Sequence, residues 1–271
     1  MACTIVTAFY PIRSKYSKDT YLNWCKTFMQ LESPIVLFTE ESLVQTFIDL
    51  RGNKQIHIIT APFESLDMWV RYENNWRHHH TFDPEAHIHS PELYTVWAQK
   101  PIFVEKAIES NPFNTDYFFW CDIGAFRDPN VPHAVLQSFP TTTYLPKDRI
   151  LLEGLGDLKE SDKLVRHDGI YGECITPAWN EIRLIGGLWG GHHTGCTKWS
   201  KAYQIMLEKY FQAGRFAGKD QIVMLSTYLD DSSLAYVVQP TLDGIDKWFF
   251  FEYLLSSLSV SYLLNPTYIL D

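Results

Sequence analysis

Apolar and polar positions alternate in blocks from the start of the chain. The run CTIVTAF (residues 3–9) precedes SKDTYLNWCKTFMQL, where Tyr21, Trp24, Cys25, Phe28 and Met29 recur at the offsets of one helical face and Ser17 stands in the N-cap position. PIVLFT, EESLVQTFIDL and QIHIIT continue the pattern as strand, helix and strand through residue 60. Apolar runs without period-two alternation are strands covered on both faces, and strands alternating with helices specify a parallel sheet. From Ala61 to His89 neither period persists, which predicts a long surface excursion, with residues 64–89 acting as a lid over a site. Ser90-Pro91-Glu92 then opens a helix that Pro101 is expected to kink or restart.

YFFWC reads as a strand ending at Asp122, and RILLEG and RLIGGLWGG as further strands. KWSKAYQIMLEKYFQ carries Trp199, Tyr203, Met206, Leu207 and Tyr210 on one face; KDQIVMLSTYL is a second helix and LAYVVQP a late strand. The fold class is therefore α/β, with a Rossmann-like, mostly parallel central sheet flanked by helices. At 271 residues one large core suffices, and a single domain is expected.

Charge narrows the partners. With 23 basic against 32 acidic residues the net charge is −9, which argues against nucleic acid. The opening MACTIVTAFYPIR has no basic leader region, and no segment reaches the roughly 18 apolar residues of a membrane span, so a soluble, unexported chain without a transmembrane segment is expected. Cys3, Cys25, Cys121, Cys174 and Cys196 are scattered without a CxxC spacing, which points to a reducing cytoplasm rather than a disulfide framework.

The stretch YFFWCDIGAFRDP carries the sharpest candidate chemistry. Asp followed by Ile-Gly is ordinary turn chemistry, but ligands of open α/β sheets bind just beyond the carboxyl ends of strands, where Asp122 stands. Lys100, Arg127, Lys219 and Asp220 also fall near predicted element ends. A sugar-nucleotide transferase needs such parts: a carboxylate for a divalent ion, donors for the leaving phosphates and a polar group at the sugar carbon. His78, His79 and His80 read as a surface tract, and His87 and His89 could share a strand face. His192 or His193 could contact phosphate or complete a metal site beyond the glycine-bearing strand, and Trp69, Trp76 and Trp189 could serve as sugar platforms.

Several blocks, TAFYPI with Tyr21 and Trp24, SPELYTVWAQK, FFWCDIGAFRD, and IGGLWGG with KDQ, resemble the HtrL/YibB-like family of glycosyltransferase-like proteins. The resemblance implies a single GT-A-like domain, with a nucleotide-binding half over about 1–130 and an acceptor half over about 131–271. It implies that Asp122-Ile123-Gly124 is a variant Asp-x-Asp motif binding Mn²⁺ or Mg²⁺, with glycine in place of the second acid. His192 is a further candidate metal ligand. Thr7, Ala8, Phe9 and Tyr10 would meet the nucleoside, Lys100 and Arg127 the leaving phosphates, Gly186 and Gly187 the donor, and Trp189 and Trp76 the acceptor. Asp220-Gln221 is similar to the Asp-Gln near the reacting sugar carbon, as base or as positioning group. The expected function is transfer of a sugar from a nucleotide-sugar donor to a hydroxyl of a glycan or glycoconjugate. A binding shell without turnover and a histidine-based metallohydrolase using residues 78–89 are the alternatives.

Overall fold

Strand β1 (Cys3–Phe9) is buried along its length, with parallel partners on both sides: β2 (Ile35–Thr39) and β4 (Tyr117–Cys121). The computed structural model describes residues 3–143, 145–171, 182–240 and 245–256, and the backbone of 269–270. β3 (Ile56–Thr60) adds a parallel edge beside β2. Beyond β4 comes β6 (Leu184–His192), antiparallel to both β4 and β5 (Ile150–Gly154); β7 (Ala235–Val238) runs parallel to β5, and β8 (Ile269–Leu270) closes the edge. The order is β3-β2-β1-β4-β6-β5-β7-β8, and all strands except β6 and β8 share one direction. This is the mixed, mostly parallel, Rossmann-like sheet that the alternation predicts.

Helices cover both faces. Val6, Ala8 and Tyr10 pack with α3 (Asp67–His80), α4 (Pro91–Ser110), α6 (His193–Gln212) and α7 (Asp220–Asp230). Cys3, Ile5 and Phe9 face the other layer, with α1 (Lys18–Phe28), α2 (Val44–Arg51), α5 (His133–Ser138) and α8 (Phe250–Leu254). Period-two alternation along a strand covered on both sides distributes its side chains to two cores. Ser17 and Ser90 cap α1 and α4, their hydroxyls accepting from Thr20 N–H at 3.1 Å and Leu93 N–H at 3.2 Å.

Two expectations are corrected. Residues 67–80 form α3 rather than a surface excursion; Met68, Trp69, Tyr72, Trp76 and His79 follow helical offsets, and all but the half-buried Tyr72 are buried. Tyr72 has non-helical dihedrals (φ −131°, ψ 16°), so the helix is kinked there. Its start is fixed from α4: Gln99 accepts from Met68 N–H at 2.9 Å and donates to Asp67 at 3.0 Å. The histidine tract is only partly a surface feature: His78 is exposed and His80 half-buried, but His79 is buried. His79 accepts from Ala217 N–H at 3.2 Å, and burial, aided by His78, holds its pKa down at about 4, so it stays neutral. The second correction is partial: α4 runs through Pro101 as one helix, so of the two expected outcomes the restart does not occur.

Cys3, Cys25, Cys121 and Cys196 are free, buried thiols, and Cys174 lies outside the described residues. Among the described residues no helix is long and apolar enough to cross a membrane.

Candidate functional site

The chain leaves β1 toward β2 and β3, then returns to the other side of β1 to form β4, so the winding reverses between β1 and β4. A crevice opens at the carboxyl ends of strands at such a reversal. Here a recess of about 130 Å³ is lined by Ala8, Phe9 and Tyr10 from the end of β1 and by Asp122, Ile123 and Gly124 after β4. It adjoins a cleft of about 390 Å³ walled by Gly186 and Gly187, Asp220 and Gln221, Trp248 and Glu252; Lys100, Asp122 and Arg127 border both spaces.

Asp122 is placed by the β4–β6 pairing. Its N–H donates to Gly187 O at 2.7 Å, and Trp120 Nε1 donates to its Oδ1 at 2.7 Å. The antiparallel run of β6 brings its first residues to this end of the sheet, where a side chain on Gly186 would interfere. A Cβ on Gly186 would lie 2.5 Å from Asp220 Oδ2, and one on Gly187 would lie 3.4 Å from Asp122 Oδ2. Gly186 thus lets the Asp220 carboxylate approach the strand, while a Cβ on Gly187 would make only an ordinary contact with Asp122.

Both carboxylates converge on Lys100. Its Nζ, with 4% of the side chain exposed, lies 3.1 Å from Asp122 Oδ1 and 2.8 Å from Asp220 Oδ2, and donates to Gly186 O at 2.9 Å. Burial opposes the ammonium charge, but the two carboxylates outweigh it and raise the Lys100 pKa. The surrounding protein pushes the Asp122 carboxyl up, Lys100 pulls it down and Asp220 pushes it up again; the net direction is upward. Solvent softens that push, because 41% of the Asp122 side chain faces the cleft. Asp220 opens α7, its Oδ1 accepting from Gln221 N–H at 2.9 Å.

Arg127 is one of the cations lining the cleft, with Lys15 and Lys219 also in its wall. Its Nε donates to Gly124 O at 2.8 Å, and its guanidinium lies 4.3 Å from the Trp24 ring centroid and 4.8 Å from that of Phe249. Nearby Glu252 is buried, its Oε1 has no hydrogen-bond partner among the described residues, and burial pushes its pKa up to about 8. Nothing in the local pattern FFEYL distinguishes this glutamate, and its place in the cleft is set by tertiary packing alone.

A family model described as "Bacterial protein of unknown function (HtrL_YibB)" matches residues 1–249. The chain belongs to the HtrL_YibB family. It is 23% identical over 281 residues to Protein HtrL of Escherichia coli (strain K12), covering 91% of this chain and 90% of that protein. In this HtrL_YibB member, Asp122, Lys100, Asp220, Gly186 and Arg127 all fall within the matched region, and Glu252 falls just beyond it.

Several of the residues singled out from the sequence do not reach the cleft, among them Trp69, which is buried against Phe63. Trp76 is 0% exposed and donates from Nε1 to Met68 O at 2.9 Å; Trp189 is buried in the sheet opposite Trp120. Neither is available as an acceptor platform. Thr7 is fully buried, so of the β1 quartet only Ala8, Phe9 and Tyr10 border the recess. His192 pairs with Tyr117 at the opposite end of β4 and caps α6, accepting from Thr194 N–H at 3.3 Å. It shares that end with Asp116 and His193, whose ligating atoms lie within 4.8 Å of one another, and cannot join Asp122 around one ion.

Mn²⁺ or Mg²⁺ has no place between Asp122 and Asp220. Such ions take several oxygen ligands, yet the ammonium of Lys100 already occupies the point where Asp122 and Asp220 converge. Gly124 supplies no second carboxylate, and a dication beside the buried ammonium would be repelled.

Proposed function

We propose that the protein is a glycosyltransferase that moves a sugar from a nucleotide-sugar donor to a hydroxyl of a glycan or glycoconjugate. The observation carrying this reading is the crevice between the carboxyl ends of β1 and β4, with the Asp122 carboxylate opening into it. Four parallel strands followed by an antiparallel strand bearing Gly186 and Gly187 also suit the GT-A arrangement that the motif resemblance implies.

The nucleoside lies against Ala8, Phe9 and Tyr10, and the open edge of Asp122 accepts hydrogen bonds from ribose or sugar hydroxyls. Arg127 offsets the diphosphate charge, held in place by Trp24 and Phe249. The acceptor oxygen attacks the anomeric carbon and loses its proton; the bond from that carbon to the diphosphate oxygen breaks, and the diphosphate leaves with the electron pair. Asp220, paired with Lys100 at 2.8 Å, positions the sugar together with Gln221. Buried thiols suit a reducing compartment, which supports a cytoplasmic location.

A binding shell without turnover is the second reading, favoured by Gly124 in place of a second acid. The two are separated by incubating the purified chain with UDP-, GDP-, CMP-, ADP- and dTDP-sugars, with and without alkyl glycoside acceptors, and measuring nucleotide release. The transferase reading predicts release from at least one donor that Asp122→Asn abolishes while remaining folded. Binding without release favours the shell, and neither binding nor release rejects both.

A further inference from the structure

Asp220 is committed to Lys100, so the acceptor proton needs another destination. Besides Glu252, the cleft wall holds His89, which the sequence offered only as a neighbour of His87 on a possible strand face. His89 precedes α4 and lines the cleft on the same side as Leu93, Trp97 and Lys100. Its ring is 5.1 Å from Trp97 in an edge-on contact, and its Nδ1 lies 2.8 Å from Asp83 Oδ2.

Asp83 is fixed on every side. Its Oδ2 also accepts from Tyr94 Oη at 2.5 Å, and its Oδ1 accepts from Glu85 N–H at 2.8 Å. Those hydrogen bonds overcome burial and hold its pKa at about 2, so it stays an acceptor. An ionised carboxylate on Nδ1 requires Nδ1 to carry a proton, which leaves Nε2 as the basic nitrogen. Nε2 has no hydrogen-bond partner among the described residues. Asp83, Glu85 and His89 also have the spacing of a metal group, but Lys219 is bonded to Glu85 and Tyr94 to Asp83, so the carboxylates are already neutralised or engaged.

We infer that His89 is the general base of the transfer, with Asp83 as the residue that fixes its tautomer. Resting on the transferase reading, this assigns the proton: Nε2 takes it from the acceptor hydroxyl as the oxygen bonds to the anomeric carbon. The imidazolium that forms is stabilised by Asp83, which does not itself become protonated. Tyr94 and Glu85 N–H hold Asp83 in the orientation this requires.

The test uses the full chain and the sugar-nucleotide panel, following nucleotide release together with nucleoside diphosphate affinity and the ¹⁵N shifts of the histidine rings. His89→Gln is expected to lower kcat by about 10²–10⁴-fold with unchanged nucleotide affinity. Asp83→Asn, a milder change that leaves the His89 ring in place, is expected to lower kcat and to shift the His89 ring from the Nδ1–H to the Nε2–H form. Wild-type kcat in His89→Gln, or an Nε2–H ring in the native protein, overturns the base assignment and leaves the transferase reading standing. A native protein that releases nucleotide from no donor overturns the transferase reading, and this inference with it.

Discussion

Removing Lys100 strands two carboxylates that share it as a counter-ion. Lys100→Met is expected to cost about 3–5 kcal/mol, the usual range when one partner of a buried pair is deleted, towards the lower end because Asp122 is partly open to solvent. The deficit should be small in acid, where both carboxyls protonate, and grow as pH rises; urea unfolding across pH reads it directly. Glu252 makes a second prediction. Its pKa rises from an ordinary 4.5 to about 8 on folding, so the native protein holds a proton that the unfolded chain releases. Its contribution is complete below pH 4.5 and is lost as pH climbs to 8, with an upper bound of roughly 5 kcal/mol. Glu252→Gln should remove this dependence and be more stable than the native protein above pH 8. An unchanged pH profile would show that Glu252 is ionised in the fold.

At the scale of elements, what could be read locally was read. Ser17 and Ser90 sit within three residues of the amides they cap, and the β1, β2 and β4 runs announce strands covered on both faces. Helix α3 escaped because its N-terminal partner, Gln99, lies 31 residues away from Met68, and because Tyr72 interrupts its dihedrals. The site divides in the same way. Asp122 was legible from a strand end, but the Lys100–Asp220 pair spans 120 residues, and no spacing rule connects them. Trp189 and Trp76 misled because aromatic residues suited to sugar stacking are equally suited to a core. A packed α3 predicts that Trp76→Ala costs about 3–5 kcal/mol, measured by denaturant unfolding, and that proteolysis within residues 67–80 is the same with and without nucleotide. A stability loss below 1 kcal/mol, or cleavage suppressed by nucleotide, would restore the surface lid.

For the whole molecule, the reversal of winding between β1 and β4 creates the crevice, the antiparallel β6 brings glycines to its floor, and α4 and α7 deliver Lys100 and Asp220 to its wall. Arg127 contributes positive charge at the cleft, and Lys100 takes the position that a divalent ion bridging Asp122 and Asp220 would need. The most direct measurement is thermal unfolding of the native chain and of Arg127→Gln with UDP, GDP, ADP, CDP and dTDP, each with EDTA. A ligand that binds only the native state stabilises it by about 2.7 kcal/mol at a hundred times its Kd. The predicted result is that at least one nucleoside diphosphate raises the Tm of the native chain despite chelation and raises that of Arg127→Gln far less. A shift that vanishes with EDTA, an equal shift in Arg127→Gln, or no shift with any nucleotide would contradict the account.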